Sequence, residues 1–210
     1  SGRYGGWVSY MESHDEERSF FHAKQFGNGN MKNNDSIRTA RVPLNMAFLT
    51  LLNGPQMFYH FAELGFDNSK WQNAEGKWGK NDDGKAPYGI KNVSNENYKM
   101  QTKMRVEHWL MEGHVRMRAF QKVGQINQLR TRLMPEVFEA NPTAVSYGSG
   151  KKLRTIQWGS NVFVAGNFDV VENQTVTLPK GTWYNYFAET KQIETTVTLQ
   201  PGEVLIFTGK

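Results

Sequence analysis

Between Tyr10 and Phe21 the chain reads YMESHDEERSFF, which sets four carboxylates, Glu12, Asp15, Glu16 and Glu17, beside His14 and Arg18. Such a set supplies general acids and bases, oxygen and nitrogen ligands for a metal, and a guanidinium that orients either. Ser13-His14-Asp15 has the composition of a hydrolase triad without its geometry. Neighbours on an extended segment point to opposite sides, so three consecutive side chains cannot form a linear relay. A metal site is disfavoured on spacing. His14 and His22, with Glu12, Asp15 and Glu16, do not follow a zinc helix motif, and His60, His108 and His114 are scattered. Asn81-Asp82-Asp83-Gly84 lacks the remaining ligands and the closing glutamate of a calcium hand, and reads as a turn. Acids favour helix N-termini, so Glu16-Glu17-Arg18-Ser19 has an ordinary reading as a solvated helix start. His14 and Asp15 precede that cap and have no such explanation.

The elements that must hold these groups come next. Trp7 to Met11 is a short aromatic and β-branched run after Gly5-Gly6, and it reads as a buried strand with the charges at its carboxyl end. That is where parallel α/β barrels place their chemistry. Residues 27–34 are polar turn formers, after which Asp35 or Ser36 caps a helix to about Leu52. Its apolar positions recur at three- and four-residue intervals, and Pro43 either kinks it or marks its true first turn. Asn53-Gly54-Pro55 stops the helix, and QMFYHF follows as a second strand leading to Glu63. Strand, helix, strand is the order of a βαβ unit. Residues 65–94 are too long and polar for a simple turn and carry Trp71 and Trp78, which predicts a functional excursion. A helix is expected from near Glu96 to Leu133, ahead of Pro135, with Gly113 and Gly124 as its breaks. After Asn141-Pro142 short alternating runs such as NVFVAGNF and EVLIF are punctuated by turn signals, which predicts a small antiparallel β-sandwich. The boundary falls near residues 136–142.

Composition narrows the classes. A chain of 210 residues with 38% hydrophobic content suits one or two folded domains, and no apolar run approaches the roughly 20 residues that span a membrane. No cysteine is present, which excludes disulfides, thiol catalysis and thiolate metal sites but fixes no compartment. The formal charge of +5 is spread along the chain and interleaved with acids, so no basic patch marks a nucleic-acid partner. The start, SGRYGGWVSY, shows no signal peptide and reads as the middle of a domain.

On these residues the sequence resembles the alpha-amylase superfamily of glycoside hydrolases. That family's last catalytic segment is a strand ending in Asn-His-Asp, followed by a polar residue and an arginine. YMESHDEER matches it at His14, Asp15 and Arg18, and departs from it at Ser13. RTARVPLNMAFLTLLNGPQMFYHFAELGF resembles the family's next helix, its aromatic strand and its Gly-Glu-Glu-like turn. INQLRTRLMP and GTWYNYF are similar to the helix ending and the Trp-Tyr strand of its terminal β-domain. The resemblance spans essentially the whole chain but only the family's carboxyl-terminal part. It implies the end of a (β/α)8 barrel, its seventh and eighth strands and helices, in residues 1–138, and an all-β sandwich in residues 139–210.

By resemblance, Asp15 is the third carboxylate, which stabilises an oxocarbenium-like transition state, and His14 binds a hydroxyl of the same sugar. Arg18 orients carboxylates or a substrate hydroxyl. Tyr59, with His60 and Glu63, shapes the floor of the site, and Trp71 and Trp78 stack on sugar rings. A retaining glycosidase also needs a nucleophile and a general acid about 5 Å apart. The family takes both from earlier strands. The expectation is therefore an alpha-glucan hydrolase whose segment is inactive alone, with the amino-terminal barrel portion as its natural partner. No cofactor is expected in this segment, and a calcium ion would belong to the parent, whose secreted, periplasmic or cell-surface placement is open. The alternative is a noncatalytic carbohydrate-binding or scaffold protein derived from the same fold. Strands without neighbours predict association into a dimer through the barrel edges.

Overall fold

The computed structural model describes residues 8–13, 17–69 and 111–209. Residues 19–50 are largely helical: α1 (Ser19–Phe26), the single turn α2 (Asn30–Asn33), α3 (Asp35–Ala40) and α4 (Val42–Thr50). The expected helix over 35–52 is thus two helices, because Arg41 interrupts it and Pro43 sits in the first turn of α4, where its missing N–H costs nothing. The cap also shifts by one residue. Asn34 Oδ1 accepts from Ile37 N–H at 3.0 Å, so Asn34 caps α3, and the 27–34 stretch contains α2 as well as turns.

α4 is apolar on every side, and seven of its nine residues are buried. A helix of that kind must be covered all round. One side, with Val42 and Met46, joins Phe20, Ala62, Ala119 and Val123 in a core among helices. The other side, with Leu44 and Ala47, joins Ile126, Leu129 and Phe138 against the sheet residues Ile156, Val162, Val164 and Ile206. α5 (Val115–Gln128) runs alongside and continues as a π-helical turn over Leu129–Leu133, before Pro135 opens α6 (Pro135–Glu139). Gly113, at φ 79°, lies in the turn before α5, whereas Gly124 lies inside α5 and does not break it. Residues 96–110 of the expected helix lie outside the described residues.

The strands β1 (Ala144–Ser146), β2 (Leu153–Trp158), β3 (Val162–Asn167), β4 (Gln174–Thr177), β5 (Trp183–Asn185), β6 (Thr190–Gln192), β7 (Thr196–Leu199) and β8 (Val204–Thr208) follow. They form an antiparallel six-stranded sheet in the order β1-β2-β3-β8-β5-β6 and a two-stranded ribbon, β4-β7. All six residues of β3 are buried, because the sheet is covered on both faces. Val162 and Val164 face the helices, while Phe163 and Ala165 meet Val176, Leu178 and Leu199 under the ribbon. At Gly166 a Cβ would lie 2.5 Å from the side chains of both Leu44 and Phe48 of α4, so any larger residue would have to displace them from this approach of helix to sheet. Arg41 fastens the same seam: its guanidinium donates to the carbonyls of Asp169 at 2.8 Å and Phe168 at 2.9 Å.

The strand expected at 7–11 and the strand at QMFYHF are not developed strands among the described residues. They meet at one parallel bridge, Ser9 with Gln56, through Ser9 N–H to Pro55 O at 3.0 Å and Met57 N–H to Ser9 O at 2.9 Å. Val8 is 54% exposed and Tyr10 49%, so the first segment is not buried as expected. A parallel strand is buried only when neighbours flank both edges and cover both faces, and here a single bridge flanks one edge.

Candidate active site

The segment carrying the charges leaves the parallel bridge, passes the buried residues Glu12 and Ser13, and re-enters with the buried residues Glu17 and Arg18 at the start of α1. His14 and Asp15 lie between these pairs, outside the described residues, as do Trp71, Trp78 and Asn81-Asp82-Asp83-Gly84.

Arg18 is the centre of what is described. Its side chain is 1% exposed, and the guanidinium is sandwiched between the rings of Tyr59, 4.7 Å away, and Phe66, 4.6 Å away. It donates through Nη1 to the carbonyl of His60 at 2.8 Å, and its Nη2 lies 3.1 Å from His60 Nε2. Arginine has no acceptor, so His60 Nε2 accepts and the imidazole proton sits on Nδ1. Glu12 Oε1 stands 3.7 Å from Nη1, while Glu12 Oε2 accepts from Ser19 N–H at 2.8 Å at the first turn of α1. Glu17 accepts from Arg18 N–H at 2.8 Å and from Ser69 Oγ at 2.5 Å. The reading of Glu16-Glu17-Arg18-Ser19 as a solvated start is therefore corrected at Glu17 and Arg18, which are buried against the 59–69 segment. That segment is itself packed: Phe66, Asp67 and Ser69 are buried, so the polar excursion expected from residue 65 does not begin there.

Burial governs the electrostatics. It pushes the Glu12 carboxyl up and the Arg18 guanidinium down, and their mutual attraction opposes both shifts. Burial also raises the Glu63 carboxyl. His60 is held below the ordinary imidazole range by burial first and then by the Arg18 cation. A neutral imidazole is the form that can accept from Arg18, so geometry and charge agree.

A second ionic knot lies behind this one. Asp67 takes Arg38 at 2.6 Å, Lys24 at 3.4 Å and Arg116 at 3.5 Å, and Asp35 takes Arg116 at 2.6 Å. Arg116 also donates to the carbonyls of Leu64 and Gly65, so α5 holds the 62–67 turn in place. Beside the turn a cleft of about 380 Å³ opens between Tyr59, His60 and Glu63 on one side and α5 on the other.

The structure thus gathers Arg18, Tyr59, His60 and Glu63, all singled out from the sequence. Sequence reasoning named Glu12 only among possible metal ligands, and missed the partners Phe66 and Ser69. For Phe66 the sequence carried no signal that its ring would cover Arg18. For Glu12 there was only its place one residue before the Ser-His-Asp run. Among the described residues no three histidines or acids are grouped as a metal site, and Glu12 is spent on Ser19 and Arg18.

No family model matches the sequence, and no curated protein matches it. The structure does match solved glycoside hydrolases of the alpha-amylase type. A pullulanase from Anoxybacillus sp., solved with maltotetraose, aligns with a TM-score of 0.63 at 13% identity, covering 97% of this chain and 28% of that one. The protein AmyP, solved with maltotriose, aligns at 0.64 and 16% identity over 96% of this chain and 40% of its own. The alpha-amylase of Geobacillus thermoleovorans, solved with acarbose, aligns at 0.54 and 14% identity over 95% and 38%. The fold of this chain is therefore one that occurs within alpha-amylase-type enzymes, and the chain spans less than half of their length.

Proposed function

We propose that this chain is the carboxyl-terminal part of an alpha-amylase-type glycoside hydrolase acting on alpha-linked glucans. Residues 1–138 are the last two strands and helices of its (β/α)8 barrel, and residues 139–210 are its terminal β-sandwich. The observation that carries the reading is the parallel Ser9–Gln56 bridge with α1 to α4 between its two segments. It sits in a fold that aligns over nearly the whole chain with enzymes solved with maltotetraose and maltotriose.

In this reading Asp15 follows the segment that carries the parallel bridge and stabilises positive charge as the glycosidic bond breaks, and His14 donates to a hydroxyl of the same sugar. Arg18 is buried and does its work by positioning: it ties the segment flanking Asp15 to the 59–66 turn through His60 and the two rings. The nucleophile and the acid reside in the rest of the barrel, and the mechanism retains the anomeric configuration. Trp71 and Trp78 supply stacking surfaces for sugar rings.

The test is made on the longer polypeptide and on the 210-residue chain in parallel. The longer polypeptide should release product from a chromogenic maltooligosaccharide, with the alpha anomer appearing first by proton NMR, and the 210-residue chain should show no turnover. The beta anomer first, or turnover by the short chain alone, contradicts the proposal.

A further inference from the structure

The chain contains two Asn-Gly pairs, Asn28-Gly29 and Asn53-Gly54, and the fold treats them differently. Such a pair is chemically labile, because a glycine nitrogen with no Cβ beside it reaches the carbonyl of the preceding asparagine side chain without a clash. Asn28 and Gly29 lie in the turn between α1 and α2, and both are exposed. Among the described residues neither the Asn28 side chain nor the Gly29 N–H makes a hydrogen bond. Gly29 has a φ of 56°, and a Cβ there would find only Val170, at 3.9 Å, so the pair stands in open space. Asn53 is held instead. It is half-buried between the end of α4 and the end of α6, and its Nδ2 donates to the carbonyl of Glu139 at 3.1 Å and to Asn141 Oδ1 at 3.4 Å. The next peptide is pinned as well: the Gly54 carbonyl accepts from Arg130 Nη2 at 2.6 Å, and Pro55 follows with its fixed φ.

We propose that Asn28 is a site of spontaneous covalent modification, deamidating through a succinimide, and that the fold protects Asn53 from the same reaction. The Gly29 amide nitrogen loses its proton to hydroxide and attacks Asn28 Cγ. The new N–Cγ bond closes a five-membered ring, the Cγ–Nδ2 bond breaks, and Nδ2 leaves as ammonia with a proton from water. Water then opens the imide at either carbonyl. One opening gives aspartate, and the other gives isoaspartate, in which the main chain runs through Cβ and Cγ. Water enters, ammonia leaves, and nothing is oxidised or reduced. The isoaspartate product lengthens the backbone within the turn where Met31 N–H donates to Asn28 O at 3.3 Å. Just beyond it, the carbonyls of Met31 and Lys32 accept from the buried Arg38 at 2.8 and 3.3 Å, so the altered turn adjoins the ionic knot on Asp67. At Asn53 the same attack requires the amide to leave both of its acceptors and Gly54 to swing free of Arg130, so it awaits a local opening of the fold. This chemistry is independent of the activity proposed above.

The experiment incubates the folded 210-residue chain in mildly alkaline buffer, with and without urea at an unfolding concentration, and follows both sites by peptide mapping. Mass spectrometry reads the amide-to-acid change, and electron-transfer fragmentation separates isoaspartate from aspartate. In the folded chain Asn28 should convert at least about tenfold faster than Asn53, give both products, and speed up as pH rises. In urea the two sites should converge, because Asn53 loses its partners and Asn28 has none to lose. Asn28→Ser should abolish the early acidic species and keep the melting temperature. Arg130→Ala, which frees the Gly54 carbonyl, should speed conversion of Asn53 several-fold in the folded chain and leave Asn28 unchanged. Asn141→Ala, which removes a single acceptor, makes the same test on a variant that keeps Arg130. An Asn28 that stays intact while the chain is folded overturns the proposal, as does an Asn53 that converts as fast as Asn28 there. Equal rates at Asn53 with and without urea would contradict its protection by the fold.

Discussion

The Arg18 guanidinium is 1% exposed, and its charge is met by two ring faces and by Glu12 and its Nη groups by the His60 carbonyl and imidazole nitrogen, while its Nε has no hydrogen-bond partner. Removing one partner from such a group leaves the others buried and unpaired, which typically costs about 3–5 kcal/mol. Arg18→Ala should accordingly lose about 3 kcal/mol in urea unfolding, and a loss under 1 kcal/mol would show the cluster to be incidental. His60 gives a pH signature. Its folded pKa is below the ordinary value, so the unfolded chain binds the proton more readily, and the stability this group contributes is full above the ordinary imidazole range near 6.5 and is lost as pH falls through the folded value. Glu12 and Glu63, whose folded values are raised, act with the opposite sign: their contribution is present at low pH and lost as pH rises through those values. His60→Gln keeps an acceptor for Arg18 and removes the titration. The difference in melting temperature between wild type and His60→Gln should shrink between pH 7 and pH 5, and a difference independent of pH would remove the imidazole from the account.

At the scale of elements, the contact of α4 with β3 decides whether helices and sheet form one body. Gly166→Ala forces a Cβ onto Leu44 and Phe48, and overpacking of this kind costs about 1–3 kcal/mol. Urea unfolding should show that loss, and a neutral substitution would mean that the seam opens freely. Gly124→Ala is the opposite case, with open space and a helical backbone, and should gain about 0.5–1 kcal/mol. These two glycines also show what the sequence could convey. Periodicity located α4, α5 and most strands, because apolar repeats at 3.6 and at 2 residues report a covered face directly. It did not show that Gly124 is tolerated inside a helix or that Gly166 is demanded by a neighbour far along the chain, since a glycine's cause lies in space it leaves empty or lets another group fill. The cap at Asn34 in place of Asp35 is a smaller miss of the same origin, because Asn, Asp and Ser are nearly interchangeable as caps and three of them adjoin.

For the molecule as a whole, exposed apolar side chains flank the parallel bridge. Val8, Tyr10, Met57 and Phe58 are all more than a third exposed on either side of the Ser9–Gln56 pairing. Unpaired strand edges beside apolar side chains favour association. Light scattering on the 210-residue chain should therefore report a mass above 24.1 kDa, and a monomer that binds no apolar dye would contradict this. The candidate site was legible in part. Arg18, Tyr59, His60 and Glu63 were read from motif and position and are brought together, whereas the pairing of Glu12 with Arg18 and the part of Phe66 became visible only once the chain folded back on itself. The central claim concerns Asp15, and the measurement that tests it most directly is the turnover of a chromogenic maltooligosaccharide by the longer polypeptide carrying Asp15→Asn. Loss of a preorganised electrostatic group costs about 3 kcal/mol of transition-state stabilisation, so kcat should fall at least about a hundredfold while the melting temperature holds. Unchanged kcat would take Asp15 out of the active site and with it the function proposed for this chain.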